Sequence, residues 1–339
     1  MTFGAQTTER EAFDIINICA EHGVNVIDTA EMYPVYPSKS TYGLSETIIG
    51  NYFAKNKRRN RYFISTKFAS SNTLGVGATG LTWIRGGKEG LFPSRVNIRK
   101  AVDASLSRLR VDHIDLYQIH WPVREVPFGK TVEYHAVPRK QDVDVICDTI
   151  NCLNELIGNG KILNYGLSNE TPWGIMKTLA LCGSMNAIKP VSLQSQYNLI
   201  NRSIDITVKE ICLQEGMSIL GYGPLAGGIL SGKYLDDARP SDARYTKWQG
   251  PKNRYFNSNI TAAVEAYKEA SDRLEMPLQE MAYSFVLNQA HISSMIVGFK
   301  NLVQARTFFD RNPFRFIPKG VWERINEVHR RLPNVFLEY

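Results

Sequence analysis

The sequence contains little cysteine and no long apolar run, and each shortage argues against a class of protein. Five cysteines among 339 residues show no C-x-x-C spacing, which argues against a disulfide framework or a zinc ribbon. No window approaches the roughly eighteen consecutive apolar residues of a membrane span, and residues 1–10 resemble no secretory signal. The sequence therefore predicts a cytoplasmic protein with reduced thiols and no membrane partner.

The chain also lacks a basic pattern typical of nucleic-acid binding. Its 40 lysine and arginine residues stand against 33 aspartate and glutamate residues, a net charge of +7. The one dense basic run, at residues 55–61, is typical of a helix C-terminus, where cations complement the helix dipole. No recognition motif accompanies it, so nucleic acid is not predicted as a partner. A moderately basic chain does suit an anionic ligand that carries phosphate.

Short apolar runs alternate with longer amphipathic stretches along the whole chain. The apolar runs predict seven strands at residues 24–28, 62–67, 114–120, 162–166, 191–196, 218–222 and 292–297. The amphipathic stretches predict helices near residues 8–22, 44–57, 96–110, 141–158, 171–182, 202–215, 260–275 and 301–310. Repeated βα units favour parallel strands, in an open doubly wound sheet or a closed (β/α)8 barrel. Because no linker divides the chain, residues 1–339 are predicted to form one domain.

One glycine motif matches the dinucleotide-binding fingerprint letter for letter. The motif, Gly75-Val-Gly-Ala-Thr-Gly80, would favour the open sheet if a strand preceded it and a helix followed. Polar residues 70–73 precede it and the glycine-rich residues 86–90 follow it. We therefore interpret the motif as part of a loop over residues 70–95.

Strand after strand ends in a polar or ionisable side chain. These side chains belong to Asp28, Lys67, His120, Ser168, Asn169, Gln194 and Tyr222. In a (β/α)8 barrel such ends meet at one mouth, where barrels hold their active sites. Singly, each residue has a structural explanation, such as a cap or a hydrogen-bonded core histidine. Together they favour a functional site, because burying Asp28, Lys67 and His120 side by side without a use would cost several kcal/mol.

Tyr33 follows Asp28 on the loop that leaves the first predicted strand. A phenol is a poor acid at pH 7 unless its anion is stabilised, and a Lys67 ammonium held by Asp28 would lower the tyrosine pKa. A nearby histidine would orient a carbonyl oxygen or share the proton, which completes a general-acid assembly. No metal site is predicted, because His113 and His120 point to opposite faces and no carboxylate or thiol completes a ligand set.

Five segments resemble the signatures of the aldo-keto reductase superfamily, in order along the chain. They are Ile27-Asp-Thr-Ala-Glu-Met-Tyr33 and residues 65–67, 115–122, 160–169 and 221–234. The resemblance covers essentially the whole chain and is closest to the Tas-like bacterial branch. It implies a (β/α)8 TIM barrel that reduces a small-molecule aldehyde or ketone with NADP(H). It also implies a catalytic tetrad, in which Tyr33 donates the proton, Lys67 paired with Asp28 lowers its pKa, and His120 orients the carbonyl.

The same resemblance implies a set of cofactor-binding residues. Ser168, Asn169 and Gln194 would bind the nicotinamide carboxamide, and Tyr222 would stack on the ring. The glycine-rich stretch after Tyr222 would follow the pyrophosphate, with Gly223, Pro224, Leu225, Gly228 and the cation Lys233. The adenosine end would lie at Gly298, Lys300, Asn301 and Gln304, with Lys300 and Arg244 preferring the 2′-phosphate of NADP. Thr307 and Phe308 depart from the family, which often has a Glu-Asn pair there.

The family also has a hairpin and a first barrel strand before the position of Gly4, whereas this chain opens at Met1 in the loop that follows. We therefore expect a barrel without its first strand, and a truncated gene model is the favoured explanation. The open seam would expose unpaired backbone. The oligomeric state is not predicted.

Two other functions stay open. One is an NADP(H)-binding regulatory subunit, similar to the β subunits of voltage-gated potassium channels. The other is an aldolase with Lys67 as Schiff base, which fits less well because Asp28 would keep the lysine charged. The substrate is not readable, although aromatic residues of the predicted mouth loops suggest an apolar pocket. They are Tyr36, Trp83, Trp121, Phe128 and Trp248.

Overall fold

A computed structural model describes residues 1–70, 81, 83–86, 88–126, 140–247, 255–314 and 316–337. The glycine motif at residues 75–80 and the aromatic residues Phe128 and Trp248 lie outside the described residues. Within the described ranges, no helix is both long and apolar enough to cross a membrane.

The strands follow the predicted sequence of short apolar runs. They are β1 (Val26–Asp28), β2 (Phe63–Phe68), β3 (Ile114–Ile119), β4 (Ile162–Ser168), β5 (Ser192–Gln196), β6 (Ser218–Tyr222) and β7 (Ile292–Ile296). Their order in the sheet is the order of the chain, β1 to β7. Each strand begins and ends within two residues of the sequence prediction, so the strand prediction is confirmed.

Helices separate the strands. They are α1 (Glu9–Glu21), α2 (Leu44–Asn56), α3 (Lys88–Leu91), α4 (Arg95–Leu109), α5 (Lys140–Gly158), α6 (Pro172–Met185), α7 (Ile204–Thr207), α8 (Lys209–Gln214), α9 (Arg244–Lys247), α10 (Ser258–Arg273), α11 (Leu278–Leu287), α12 (Leu302–Asp310) and α13 (Lys319–Arg331). The helix prediction was wrong in detail at residues 202–215, where the chain forms two short helices that part at Val208. It also missed α3, α9, α11 and α13.

The chain divides into two compact units. The first contains the described residues within 1–126, 140–193 and 298–307, and the second contains the described residues within 194–297 and 308–337. Strands β1 to β4 belong to the first unit, and β6 and β7 belong to the second. The single domain over residues 1–339 stays a prediction.

In the first unit, the pairing of β1, β2 and β3 aligns their carboxyl ends. Asp28 is paired with Ser65 across β1 and β2, and Lys67 is paired with Gln118 across β2 and β3. Because side chains alternate along a strand, Ser65 and Lys67 share one face, as do Gln118 and His120. The polar side chains of this face therefore gather at the carboxyl ends of β1, β2 and β3. The opposite alternation buries apolar side chains, including Ile64, Phe68, Tyr117 and Ile119.

Helices α2 and α4 approach each other closely at Gly50. A Cβ atom at this position would lie 2.2 Å from the carbonyl oxygen of Arg108, closer than real Cβ contacts allow. Helix α4 also contacts β2, the strand that carries Lys67. A residue without a side chain is therefore needed to bring α2 against α4 behind this part of the sheet.

In the second unit, β6 and β7 pair in parallel, with Tyr222 beside Ile296. The side chain of Arg202 is buried and donates hydrogen bonds to Asn326 Oδ1 at 3.0 Å and to the Tyr267 hydroxyl at 3.2 Å. These bonds attach the segment after β5 to helices α10 and α13.

Candidate active site

A buried ion pair lies at the carboxyl ends of β1 and β2. The Lys67 side chain is fully buried, and its Nζ donates to Asp28 Oδ2 at 2.5 Å and to the carbonyl oxygen of Thr29 at 2.8 Å. Asp28 Oδ1 accepts hydrogen bonds from Ser65 Oγ at 2.9 Å and from Gln118 Nε2 at 3.1 Å. Both charged groups are therefore held in one position.

Burial changes the acidity of this lysine. It lowers the pKa of Lys67 below its usual value, while the Asp28 carboxylate acts in the opposite direction and favours the ammonium. Desolvation is the larger of the two effects, because the amine is entirely removed from water.

Tyr33 and His120 lie beside the ion pair. Lys67 Nζ lies 5.6 Å from the centre of the Tyr33 ring, and the Tyr33 and His120 rings meet edge to face with centres 5.8 Å apart. The His120 ring also stacks on Trp121, with centres 3.6 Å apart. The four residues Asp28, Tyr33, Lys67 and His120 are therefore brought together within the first unit, as the resemblance implies.

His120 is held in its neutral form at pH 7. Burial, with a smaller contribution from the Lys67 charge, lowers the pKa of His120 well below its usual value. Among the described residues, no group forms a hydrogen bond with His120 Nδ1, although the atom is buried. A neutral imidazole can donate one hydrogen bond and accept another, so this ring can bind a polar ligand.

Ser168, which ends β4, and the following residue Asn169 lie next to this group in the first unit. Asn169 has a left-handed backbone (φ 56°), and its Nδ2 donates to the carbonyl oxygen of His120 at 2.9 Å and to Ser168 Oγ at 3.1 Å. The following residue, Glu170, forms a two-pronged ion pair with the buried Arg124. A Cβ atom at Gly174 would lie 2.2 Å from Glu170, so this glycine makes room for the pair.

The predicted pyrophosphate segment belongs to the second unit. Gly223, Gly227 and Gly228 have left-handed backbones (φ 71°, 69° and 105°), a conformation that only glycine adopts readily. A Cβ atom at Gly228 would lie 3.1 Å from Lys233 Nζ, so the cation lies over bare backbone. The predicted partners in this unit are Gln194, which is buried on β5, and Tyr222, Pro224, Leu225 and Arg244.

The predicted adenosine-end residues lie before and within the first turn of α12. Gln304 Oε1 accepts from the backbone N–H of Lys300 at 2.8 Å, and Asn301 Oδ1 accepts from the N–H of Gln304 at 3.0 Å. Gly298 precedes them and is exposed. Phe308, at the position that departs from the family, is buried and packs edge to face on Tyr283. At this position the chain therefore makes an apolar contact. The predicted cofactor residues belong to two units, and their joint binding of one dinucleotide stays a prediction.

Sequence reasoning missed several residues that hold the site. Ser65 and Gln118 bind Asp28, and the signal for both was available, because each lies two residues before a predicted tetrad residue on the same strand face. Glu31 and Arg85, which lie close by, had no such signal. Their pairing joins positions 54 residues apart in the chain.

Comparisons with known proteins agree with this arrangement. The aldo/keto reductase family profile matches residues 1–330. The chain is 36% identical over 335 residues to Protein tas of Escherichia coli K12, covering 97% of this chain and 92% of that protein. It is 37% identical over 254 residues to an aldo-keto reductase of Babesia bovis, covering 72% and 86%. It is 26% identical over 302 residues to a probable voltage-gated potassium channel subunit beta of Arabidopsis thaliana, covering 88% and 80%. The chain therefore belongs to the aldo/keto reductase family, whose members are oxidoreductases built on a (β/α)8 barrel.

Proposed function

We propose that this protein is a cytoplasmic NADP(H)-dependent reductase that converts a small-molecule aldehyde or ketone into an alcohol. The observation that carries the proposal is the Lys67 ammonium, which is fixed by Asp28 and lies beside the rings of Tyr33 and His120. All five cysteines are free thiols, which agrees with a reducing compartment.

Tyr33 is the proposed proton donor. As the carbonyl carbon is reduced, its oxygen becomes an alkoxide and takes the proton of the tyrosine hydroxyl. The nearby Lys67 ammonium stabilises the phenolate that remains, and it does so strongly because water is excluded around it. Asp28 keeps the lysine in the orientation that this role needs.

His120 is proposed to orient the carbonyl oxygen. Its lowered pKa argues against the alternative in which the histidine shares the transferred proton, because an imidazolium beside Lys67 would place two cations together. A neutral ring can donate one hydrogen bond to the carbonyl oxygen and so fix it beside the Tyr33 hydroxyl.

NADP(H), when bound, supplies the hydride. Ser168, Asn169 and Gln194 would hold the nicotinamide carboxamide, and the left-handed glycines before Lys233 leave backbone open to a phosphate. Lys300 and Arg244 would distinguish NADP from NAD by charge.

The second candidate is a cofactor-binding regulatory subunit with little turnover. It is favoured by the likeness to the Arabidopsis protein named as a probable potassium channel subunit. The assembled tetrad favours turnover instead, because a protein that only senses the cofactor has no need of a proton donor. The aldolase reading loses its support, because the family comprises oxidoreductases.

The deciding experiment measures NADPH oxidation with a panel of aromatic and aliphatic aldehydes and ketones. We expect turnover with some members of the panel, and a loss of about a thousandfold or more in Tyr33→Phe with NADPH binding retained. Tight NADPH binding without turnover, together with a co-purifying partner, would instead establish the regulatory subunit.

A further inference from the structure

A second buried carboxylate lies on the loop between Asp28 and Tyr33. The Glu31 side chain is fully buried, and it accepts hydrogen bonds from the backbone N–H of Ala69 at 3.0 Å and from the Tyr42 hydroxyl at 2.8 Å. The backbone N–H of Glu31 donates to the carbonyl oxygen of Lys67 at 3.0 Å. Side chain and backbone together therefore fasten this loop to the end of β2.

Arg85 provides the countercharge. Its side chain is 7% exposed and forms an ion pair with Glu31 through Nη1. Its other nitrogens donate to the carbonyl oxygen of Ala69 at 2.5 Å and to that of Gly90 at 2.9 Å. One guanidinium group therefore joins the Tyr33 loop, the end of β2 and the segment that contains α3.

The backbone around Arg85 is shaped to allow these contacts. Arg85 itself has a left-handed conformation (φ 51°, ψ 33°), which residues other than glycine adopt rarely. A Cβ atom at Gly90 would lie 2.4 Å from the carbonyl oxygen of Arg85, so only glycine allows the turn to close here. Both features agree with a local fold organised around the inward-pointing guanidinium.

We infer that Glu31 is a positioning residue for the proton donor Tyr33, and that Arg85 is the cation that holds Glu31 in place. Tyr33 lies only two residues beyond Glu31 and is itself half-buried. A displacement of about 1 Å of a catalytic group can reduce a rate by about a hundredfold. This inference rests on the proposed reductase function, but the position of the loop can be measured without turnover.

The test compares Glu31→Gln, Arg85→Met and Arg85→Lys with a matched control, Asp115→Asn. Like Glu31, Asp115 accepts hydrogen bonds from an arginine and from a backbone N–H at one end of β2. Its donors are Arg59 Nη2 at 2.7 Å and the N–H of Ile64 at 2.8 Å. It does so at the opposite end of β2. Each variant is measured for kcat, for KM of NADPH, and for hydrogen exchange of the peptide that covers residues 29–36.

We expect Glu31→Gln and Arg85→Met to lower kcat by about tenfold or more, with KM for NADPH within about twofold and faster exchange at residues 29–36. Arg85→Lys keeps the positive charge and should therefore lower kcat by less. If Arg85→Met does not fold, Arg85→Lys takes its place in the comparison. Asp115→Asn should change neither kcat nor this exchange. Unchanged exchange at residues 29–36 in Glu31→Gln, or an equal loss of kcat in Asp115→Asn, would overturn the inference. If the unaltered protein turns over no carbonyl, the proposed function fails, and the exchange data alone decide the role of Glu31.

Discussion

At the scale of single residues, Lys67 combines a structural and a catalytic role that a double variant can separate. Lys67→Met leaves the Asp28 carboxylate, which is 6% exposed, without its cation, and should lower the free energy of unfolding by about 3 kcal/mol. Adding Asp28→Asn removes the unpaired charge and should restore part of that stability while leaving the protein inactive. Urea unfolding and NADPH oxidation measure the two effects. Recovery of activity together with stability would contradict a catalytic role for the pair.

The lowered pKa of His120 predicts a pH dependence of stability. In the unfolded chain a histidine takes up a proton near pH 6.5, whereas in the fold His120 resists protonation to a much lower pH. Its contribution to stability is therefore complete above about pH 6.5 and is lost as the pH falls below that value. The loss approaches about 1.4 kcal/mol for each pH unit.

The variant His120→Gln isolates this contribution. Urea unfolding at several pH values should show a smaller loss of stability on acidification in the variant than in the unaltered protein. The comparison is needed because the pKa of His329 is also lowered, to about 4, and its contribution is the same in both proteins. Parallel curves for the two proteins would show that His120 titrates normally.

The sequence predicted the four tetrad residues better than the residues that hold them in place, and the reason is physical. Asp28, Lys67 and His120 each end an apolar run, so their position in the chain already placed them at one edge of the strands. Glu31 and Arg85 owe their roles to burial and to a contact between distant segments. Neither property is visible from the spacing of residues along the chain.

At the scale of elements, the close approach of α2 and α4 predicts opposite effects of two glycine substitutions. Gly50→Ala places a methyl group against the Arg108 carbonyl oxygen and should destabilise the protein by about 1–3 kcal/mol. Gly183 lies in α6 with nothing within 4 Å of its Cβ position, so Gly183→Ala should stabilise the protein by about 0.5–1 kcal/mol. Thermal unfolding of both variants provides the measurement. A neutral Gly50→Ala would mean that α2 can move away from α4.

The helices that sequence analysis missed show where periodicity fails as a signal. In α11, Leu278, Met281 and Phe285 lie on one helix face. The apolar residues Tyr283, Val286 and Leu287 lie outside that face, so apolar side chains cover most of the helix surface and the pattern indicates no single buried face. The pattern at residues 202–215 was read as one helix, but Thr207 and Val208 are β-branched and disfavour its centre. In α13, by contrast, Val321, Ile325 and Val328 have regular helical spacing, and this helix was predictable.

At the scale of the whole molecule, the alternation of strands and helices predicted parallel βα units, and the polar strand ends together with the family resemblance favoured a barrel over an open sheet. The division into two compact units was not predicted. Both units contain the same kinds of strand and helix, so composition does not distinguish them. Their division depends on the density of tertiary contacts, which appears only once the chain is folded.

The net charge of +7 also acts at this scale, because it favours the more highly charged of the two nicotinamide cofactors. We expect NADPH to raise the thermal unfolding midpoint more than NADH does at equal concentration, because tighter binding to the native state gives the larger shift. The difference should shrink as salt is added, since ions screen the 2′-phosphate. Lys300→Met should remove most of it, whereas Lys319→Met, which deletes the same charge from an exposed position on α13, should not. Equal shifts with the two cofactors in the unaltered protein would contradict the preference for NADP. An equal fall of the difference in Lys300→Met and Lys319→Met would place the discrimination in the general charge of the molecule rather than at the start of α12.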